Sequence, residues 1–176
     1  MRGSTRTFHW CGAVIVSSSH LLTAAHCLED YPKESYVVRV GDWDQDVEDV
    51  DEQESSIAAV HFHPEYNVGA YLNNDLAVVR LKDSVRLTSR VVPACLPSPT
   101  SSYSPGTEST ISGWGSTGQT SGGYSRRLQA ATVPILETRR CMESQVYGPD
   151  KLTQGMFCAG YLAGGIDSCQ VILDVK

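Results

Sequence analysis

His26 is the residue best suited to move a proton in this chain. It sits in Thr23-Ala24-Ala25-His26-Cys27, after the apolar run Ala13-Val14-Ile15-Val16, at an expected strand-to-loop junction. An imidazole titrates near neutral pH, so it can take a proton from a nucleophile and return it to a leaving amine. That work needs an orienting carboxylate on the other ring nitrogen. Asp75 is the acidic candidate, 49 residues on, in Asn73-Asn74-Asp75-Leu76-Ala77-Val78-Val79-Arg80-Leu81. Taken singly, a histidine in a β-protein is commonly structural, and an aspartate that opens a strand is commonly a turn residue. A third segment, Gly165-Ile166-Asp167-Ser168-Cys169-Gln170, places a carboxylate and a hydroxyl near the end.

A second concentration of chemistry is the acidic run at residues 42–54. It holds Asp42, Asp44, Asp46, Glu48, Asp49, Asp51, Glu52 and Glu54. Hard oxygen ligands at this density suit calcium. A solvated loop is the plainer reading of the same residues. His61-Phe62-His63-Pro64 contains an H-x-H, which on a strand would put both imidazoles on one face. A strand that ends at Pro64 is the ordinary reading, and metal binding there is the weaker one.

The surroundings of these residues are those of a small β-protein. Apolar or β-branched runs recur at residues 13–16, 35–40, 57–62, 76–81, 110–111 and 130–135. Gly, Pro, Asn and Ser clusters separate them: Gly41-Asp42, His63-Pro64, Ser98-Pro99, Ser104-Pro105-Gly106, and the stretch from Gly113 to Gly123. Many short strands with turn punctuation predict an all-β sandwich or barrel. Long helical periodicity is absent, and one short helical turn is expected over residues 136–144. Residues 91–103, rich in Pro and Ser, read as a linker between two halves.

Composition narrows the function classes. A hydrophobic content of 41% is enough for a real core. The net charge of −6 argues against binding nucleic acid through its phosphates. No apolar run approaches the roughly 20 residues a membrane-spanning helix needs, so no membrane partner is expected. The polar start Met1-Arg2-Gly3-Ser4-Thr5-Arg6-Thr7 does not read as a signal peptide. Six cysteines form either a disulfide framework or scattered buried thiols, and no C-x-x-C or H-x-x-x-H spacing suits zinc. Disulfides imply an oxidising compartment. Disulfides without a leader predict a part of a larger secreted protein.

Taken together and in the order His, Asp, Ser, these three segments resemble the chymotrypsin/trypsin family of serine endopeptidases. Tyr36-Val37-Val38-Arg39-Val40-Gly41-Asp42, Val92-Pro93-Ala94-Cys95-Leu96-Pro97 and Arg127-Leu128-Gln129-Ala130-Ala131-Thr132-Val133-Pro134 are similar to neurotrypsin-like members. The resemblance runs from about Phe8 to Gln170. It implies a trypsin-like double antiparallel β-barrel, incomplete at both ends. Residues 1–90 would form the N-terminal barrel without its first strand, and residues 91–104 the inter-barrel linker. Residues 105–176 would form part of the C-terminal barrel, with a tail at 171–176 that matches nothing in the family.

The resemblance also implies roles. His26 would be the general base and Asp75 its orienting acid. Asp167 would floor a specificity pocket for Arg or Lys, so that the full-length form cleaves protein substrates after those residues. Cys11–Cys27 and Cys141–Cys158 would be disulfides, and Cys95 would tether an upstream chain. Cys169 would lack its partner. Secretion follows from the family and from the cysteines. The acidic loop would be a calcium site, with carboxylates from Asp42, Asp49 and Glu52 and backbone carbonyls from Asp44 and Val47. No cofactor is otherwise required. Ser125-Arg126-Arg127 would be a cleavage site for another trypsin-like protease.

The nucleophile is where the resemblance fails. After Gln170 the family reads Gly-Asp-Ser-Gly-Gly-Pro, and this chain reads Val171-Ile172-Leu173-Asp174-Val175-Lys176. Leu173 stands where the serine should, and Ser168 matches a pocket residue instead. Val171 replaces the glycine whose N–H would stabilise an oxyanion. The chain is therefore expected to be inactive. Two other readings remain open at this stage: a non-catalytic homologue acting as a binding module, and a truncated gene product without independent function. The missing strands further predict weak folding, with residues 8–90 better ordered than 105–176.

Overall fold

The computed structural model describes residues 8–115, 124–143, 147 and 151–163. Asp167, Ser168, Cys169 and residues 171–176 lie outside the described residues. Seven strands and three single helical turns make up the regular structure there. The strands are β1 (Val14–Ser17), β2 (His20–Thr23), β3 (Val37–Val40), β4 (Gln53–Phe62), β5 (Ala77–Leu81), β6 (Glu108–Gly113) and β7 (Gln129–Pro134). The first five form one antiparallel sheet in the order β1-β2-β5-β4-β3, and β6 pairs with β7. The all-β expectation is met.

Alternation drives the first sheet. β5 reads buried, half-buried, buried, exposed, buried along Ala77-Val78-Val79-Arg80-Leu81. Successive side chains on a strand point to opposite faces, so Ala77, Val79 and Leu81 share the inner one. Leu21 and Thr23 do the same from β2. Leu21, Val79 and Leu81 meet Val40 and Ile57 in a core that Val85 and Val91 close. β4 is long because it serves two partners. Its first half pairs with β3 and its second half with β5, with a register shift between Ile57 and Ala59. Such a bulge bends a strand and increases its twist, which lets a five-stranded sheet curl around its core.

The chain after β5 folds back over that core. Val85 N–H donates to Ser18 O at 2.8 Å, and Lys82 N–H donates to Ser56 O at 2.8 Å. Gln53 exchanges both hydrogen bonds of its amide with the backbone of Arg86. Val91, at the start of the expected linker, is 1% exposed and belongs to the first core. Ala94 N–H then donates to Ile15 O at 2.7 Å, so this stretch lies against β1.

Two expectations need adjusting. β2 is a strand in its own right, although the sequence reading showed only a junction there. Its two leucines sit between Ser17-Ser18-Ser19-His20 and Thr23, too short an apolar run to stand out. The helical turn expected over 136–144 is present but spans only Thr138–Cys141, a helix (α1) that carries buried Cys141. Cys11 is bonded to Cys27 and Cys141 to Cys158, while Cys95 is exposed and free among the described residues.

Replacing Leu21, which is 2% exposed, with alanine should cost about 2–5 kcal/mol, the range for a buried leucine whose cavity cannot fully collapse. Val50→Ala, at a position 89% exposed, should stay within about 0.5 kcal/mol. Urea denaturation of both variants checks this. Equal midpoints would mean that the Leu21 face of the sheet is not a core.

Candidate active site

His26 and Asp75 are brought together by strand register. β2 and β5 pair antiparallel with Thr23 opposite Ala77. Continuing the same register past both strand ends sets Asp75 across from Ala25, one residue from His26. The chain after β2 turns at once into a 3₁₀ turn, Ala25–Cys27, in which Cys27 N–H donates to Ala24 O and Leu28 N–H to Ala25 O. Ala25 is wholly buried and Cys27 is fixed by its disulfide to Cys11, so His26 is held between two anchored neighbours. Trp10 Nε1 donates to Cys27 O at 2.8 Å, and the Thr23 hydroxyl donates to Gly12 O at 2.8 Å.

Asp75 grips His26 twice. Its Oδ2 lies 2.6 Å from His26 Nδ1, and its Oδ1 accepts the His26 backbone N–H at 2.9 Å. A carboxylate bound through both oxygens cannot rotate away from the ring. Asp75 is 19% exposed in its side chain and His26 44%, so the acid is sheltered while the imidazole reaches solvent. Nε2 lies 3.6 Å from Cys27 Sγ, a disulfide sulfur that cannot donate a proton. With Nδ1–H directed to Asp75, Nε2 is the nitrogen left to accept a proton.

The loop that carries Asp75 is built from amides. Asn67, Leu72 and Asn74 have φ of 60°, 56° and 51°, in the left-handed region. Asparagine tolerates this, but Leu72 loses roughly 1–2 kcal/mol there. Leu72 N–H donates to Asn67 Oδ1 at 2.6 Å, and Asn67 N–H donates to Asn73 O at 2.9 Å, which offsets the cost. Asn74 Nδ2 donates to Glu65 O, and Thr153 Oγ1 reaches Asn73 Oδ1 at 2.7 Å from the second half of the chain. Tyr66 adds a tie to the histidine side by donating to Glu29 Oε2 at 3.0 Å. Burial first, and then Glu29, pushes the Tyr66 hydroxyl up to about 12, so it stays a donor at every physiological pH. Neither Tyr66 nor Thr153 was singled out by sequence. Their partners are 37 and 80 residues away, and no local pattern announces such pairs.

The acidic loop opens at Gly41, whose φ is +76°. A Cβ there would strike the Asp51 carbonyl, so both conformation and space require glycine. Asp49 Oδ2 accepts the backbone N–H groups of Trp43 at 2.7 Å and Asp44 at 3.1 Å. Arg39 reaches Asp42 at 3.6 Å, Glu52 at 3.1 Å and Glu54 at 2.8 Å. One guanidinium among these carboxylates is not enough. Asp42 is 8% exposed in its side chain, and its Oδ1 is buried with no hydrogen-bond partner. Burial, followed by the charge of Glu52, holds the Asp42 carboxyl above its ordinary range. A raised acid binds its proton more tightly folded than unfolded. Ionising it as pH rises therefore costs stability. A buried oxygen without a partner among like charges is the donor chemistry that a hard divalent cation fits.

Asp44 behaves differently. Its Oδ2 turns to Arg126 and Arg127, while its Oδ1 accepts the Asp46 N–H at 3.4 Å and its backbone carbonyl the Val47 N–H at 2.8 Å. Hydrogen bonds from Arg126 are the first cause that holds this carboxyl below the ordinary range. That contribution is present at neutral pH and is lost as pH falls through the lowered value. The H-x-H pair does not form a site. β4 ends at Phe62, and His63 Nδ1 accepts the Glu65 N–H in the turn beyond it. Among the described residues one group of three metal-type donors clusters, Cys11, His26 and Cys27, and two of these are the disulfide.

Known proteins match this chain over most of its length. A family model described as Trypsin matches residues 1–171. Trypsin I-P1 of chicken is 39% identical over 163 residues, and anionic trypsin of dog is 37% identical over 163 residues. Each alignment covers 93% of this chain and 62% of the relative, so the chain spans less than two thirds of these trypsins. Among solved structures, neuropsin, a serine protease of mouse brain, aligns with a TM-score of 0.79 at 31% identity. That alignment covers 93% of this chain and 69% of neuropsin. The curled five-stranded sheet and the β6–β7 pair are accordingly parts of a trypsin-like double β-barrel, and the chain belongs to the trypsin family of serine proteases.

Proposed function

We propose that His26 and Asp75 are the proton-transfer half of a serine endopeptidase site that cleaves protein substrates after Arg or Lys. The observation that carries this is the double grip of Asp75 on His26, with Nδ1 engaged at 2.6 Å and the ring open to solvent. Asp75 fixes the tautomer in which Nε2 is a base. Nε2 then takes the proton of a serine hydroxyl as that oxygen attacks the scissile carbonyl. The imidazolium so formed is stabilised by the Asp75 carboxylate, and it gives the proton to the leaving amine. Asp167 is assigned to the pocket that pairs with the basic side chain of the substrate. Cys95, exposed and free among the described residues, is assigned as the tether to an upstream chain. Secretion is the setting that disulfides of this kind require.

Residues 1–176 alone perform only part of this. The resemblance gives the nucleophile position to Leu173, and on this reading these residues supply His26 with no serine to activate. The purified chain should neither hydrolyse Arg or Lys peptide substrates nor react with a fluorophosphonate probe. Stoichiometric labelling of any serine would refute this, and labelling of Ser168 would move the nucleophile there. The positive test is a chimera. Residues 8–170 are joined to the amino terminus and the remaining carboxy-terminal segment of chicken Trypsin I-P1. It should cleave after Arg or Lys, and Asp75→Asn should lower kcat by about 10⁴-fold, the cost of the wrong histidine tautomer. A folded chimera whose activity survives His26→Ala would contradict the assignment.

We further propose that the acidic loop holds calcium through Asp42, Asp49 and Glu52 and the carbonyls of Asp44 and Val47. When bound, the ion would neutralise the carboxylates that Arg39 leaves unanswered, and its role is structural. A ligand that binds only the folded chain stabilises it by mass action, about 2.7 kcal/mol at a hundred times Kd. Calcium added after chelation should raise Tm, and Asp42→Asn should abolish the rise. An unchanged Tm in the parent chain would contradict the site.

A further inference from the structure

Asp75 is the central residue of a three-residue turn. Leu76 N–H donates to Asn74 O at 2.8 Å across it, and His63 N–H donates to Leu76 O at 2.9 Å on the strand side. Asn73, two residues ahead of the acid, engages every polar group it has. Its N–H donates to Ala70 O at 3.1 Å, and its carbonyl accepts the Asn67 N–H at 2.9 Å. Its Nδ2 donates to Val68 O at 2.7 Å, which leaves Oδ1 to accept the Thr153 hydroxyl at 2.7 Å. The first three bonds close the loop on itself. The fourth ties it to a segment 80 residues away.

Thr153 donates from a fixed base. Met156 N–H donates to Thr153 O at 3.1 Å, and Cys158, two residues further, is bonded to Cys141. Leu136 N–H donates to Cys158 O at 2.8 Å, Gly160 N–H donates to Pro134 O at 2.9 Å, and Ile135 and Ala159 form an antiparallel bridge. The segment from Thr153 to Gly160 is therefore fastened to the end of β7. Gly155 runs beside the same loop, where a Cβ would sit 3.7 Å from Asn74 Oδ1.

Resting on the reading of His26 and Asp75 as proton-transfer residues, we propose that Thr153 is a positioning residue for Asp75. Through it the second half of the chain sets the acid of a pair that the first half carries. Asp75 must place two oxygens at once, Oδ1 on the His26 backbone N–H and Oδ2 on Nδ1. Hydrogen bonds weaken steeply as their geometry departs from ideal, so a small shift of the loop loosens both. The loop has a reason to shift. Leu72 and Asn74, on either side of Asn73, are held at φ of 56° and 51°. Backbone of that kind persists only where its surroundings over-determine it. The Asn73 amide is that surrounding, and Thr153 is what orients its oxygen. Without the hydroxyl, the loop can relax about Asn73 and carry Asp75 with it. Thr153 thus places the acid and moves no proton itself.

Hydrogen exchange of the full chain, read by NMR, tests this. Two His26 protons report on Asp75: the backbone N–H that Oδ1 accepts and the ring proton on Nδ1. Thr153→Val keeps the shape and removes the hydroxyl. It should speed exchange of both protons by about two- to tenfold, the range that one hydrogen bond's net contribution gives. Thr153→Ser restores the donor and should return both to the parent rates. Gly155→Ala, which adds an ordinary contact on the same loop, should change neither. Amide protection of β2 and β5 should hold in all three variants. Parent rates in Thr153→Val would overturn the proposal. So would Thr153→Ser or Gly155→Ala exchanging as fast as Thr153→Val, or a matched loss of protection in β2 and β5. Free exchange of both His26 protons in the parent chain would instead overturn the reading of the pair, and the role of Thr153 with it.

Discussion

The pairing of β2 with β5 is the constraint on which the rest of this chain depends. Thr23 opposite Ala77 sets the inward face of the first sheet, because a slip of one residue would turn either Leu21 of β2 or Val79 and Leu81 of β5 toward solvent. The same register sets Asp75 beside His26 just beyond the strand ends. Core and site are thus fixed by one choice of alignment. The hydrophobic effect selects the register, and the His26–Asp75 contact follows from it. The Cys11–Cys27 disulfide and the amide-built loop before Asp75 then remove the freedom left on either side.

The acidic loop puts the same functional group to three uses. Asp49 is a backbone acceptor that shapes the turn around Trp43 and Asp44. Asp44 is buried, with Oδ2 engaged by the guanidinium groups of Arg126 and Arg127. Asp42 is buried and left short of partners, and its carboxyl is raised as a result. Position relative to positive charge decides among these outcomes. Arg39 stands on β3 and serves Glu54 most closely, so Asp42 receives the weakest share.

Much of this was legible in the sequence. The apolar and β-branched runs marked most of the strands, and the His26-Cys27 and Asp75 segments marked the candidate site through their family resemblance. What escaped the sequence was long-range and polar. Nothing local to Asp44 says that it meets Arg126 and Arg127, since neither segment has a pattern that needs the other. The Tyr66–Glu29 and Thr153–Asn73 ties were hidden for the same reason. β2 was hidden because a two-leucine strand relies on its neighbours for stability rather than on its own composition. Hydrophobic periodicity writes the core into the chain, while hydrogen-bonded pairs between distant loops appear only once the core has folded.

The most direct test of this account is nitrogen and proton NMR of the His26 ring in the full chain. If Asp75 grips the ring as described, the Nδ1 proton will be slow to exchange and strongly deshielded, and Nε2 will be the unprotonated nitrogen of the neutral form. Asp75→Asn will abolish both features, while the amide protection of β2 and β5 is retained. A neutral ring protonated at Nε2 in the parent chain, or a spectrum indifferent to Asp75, would contradict the claim that the β2–β5 register builds a general base.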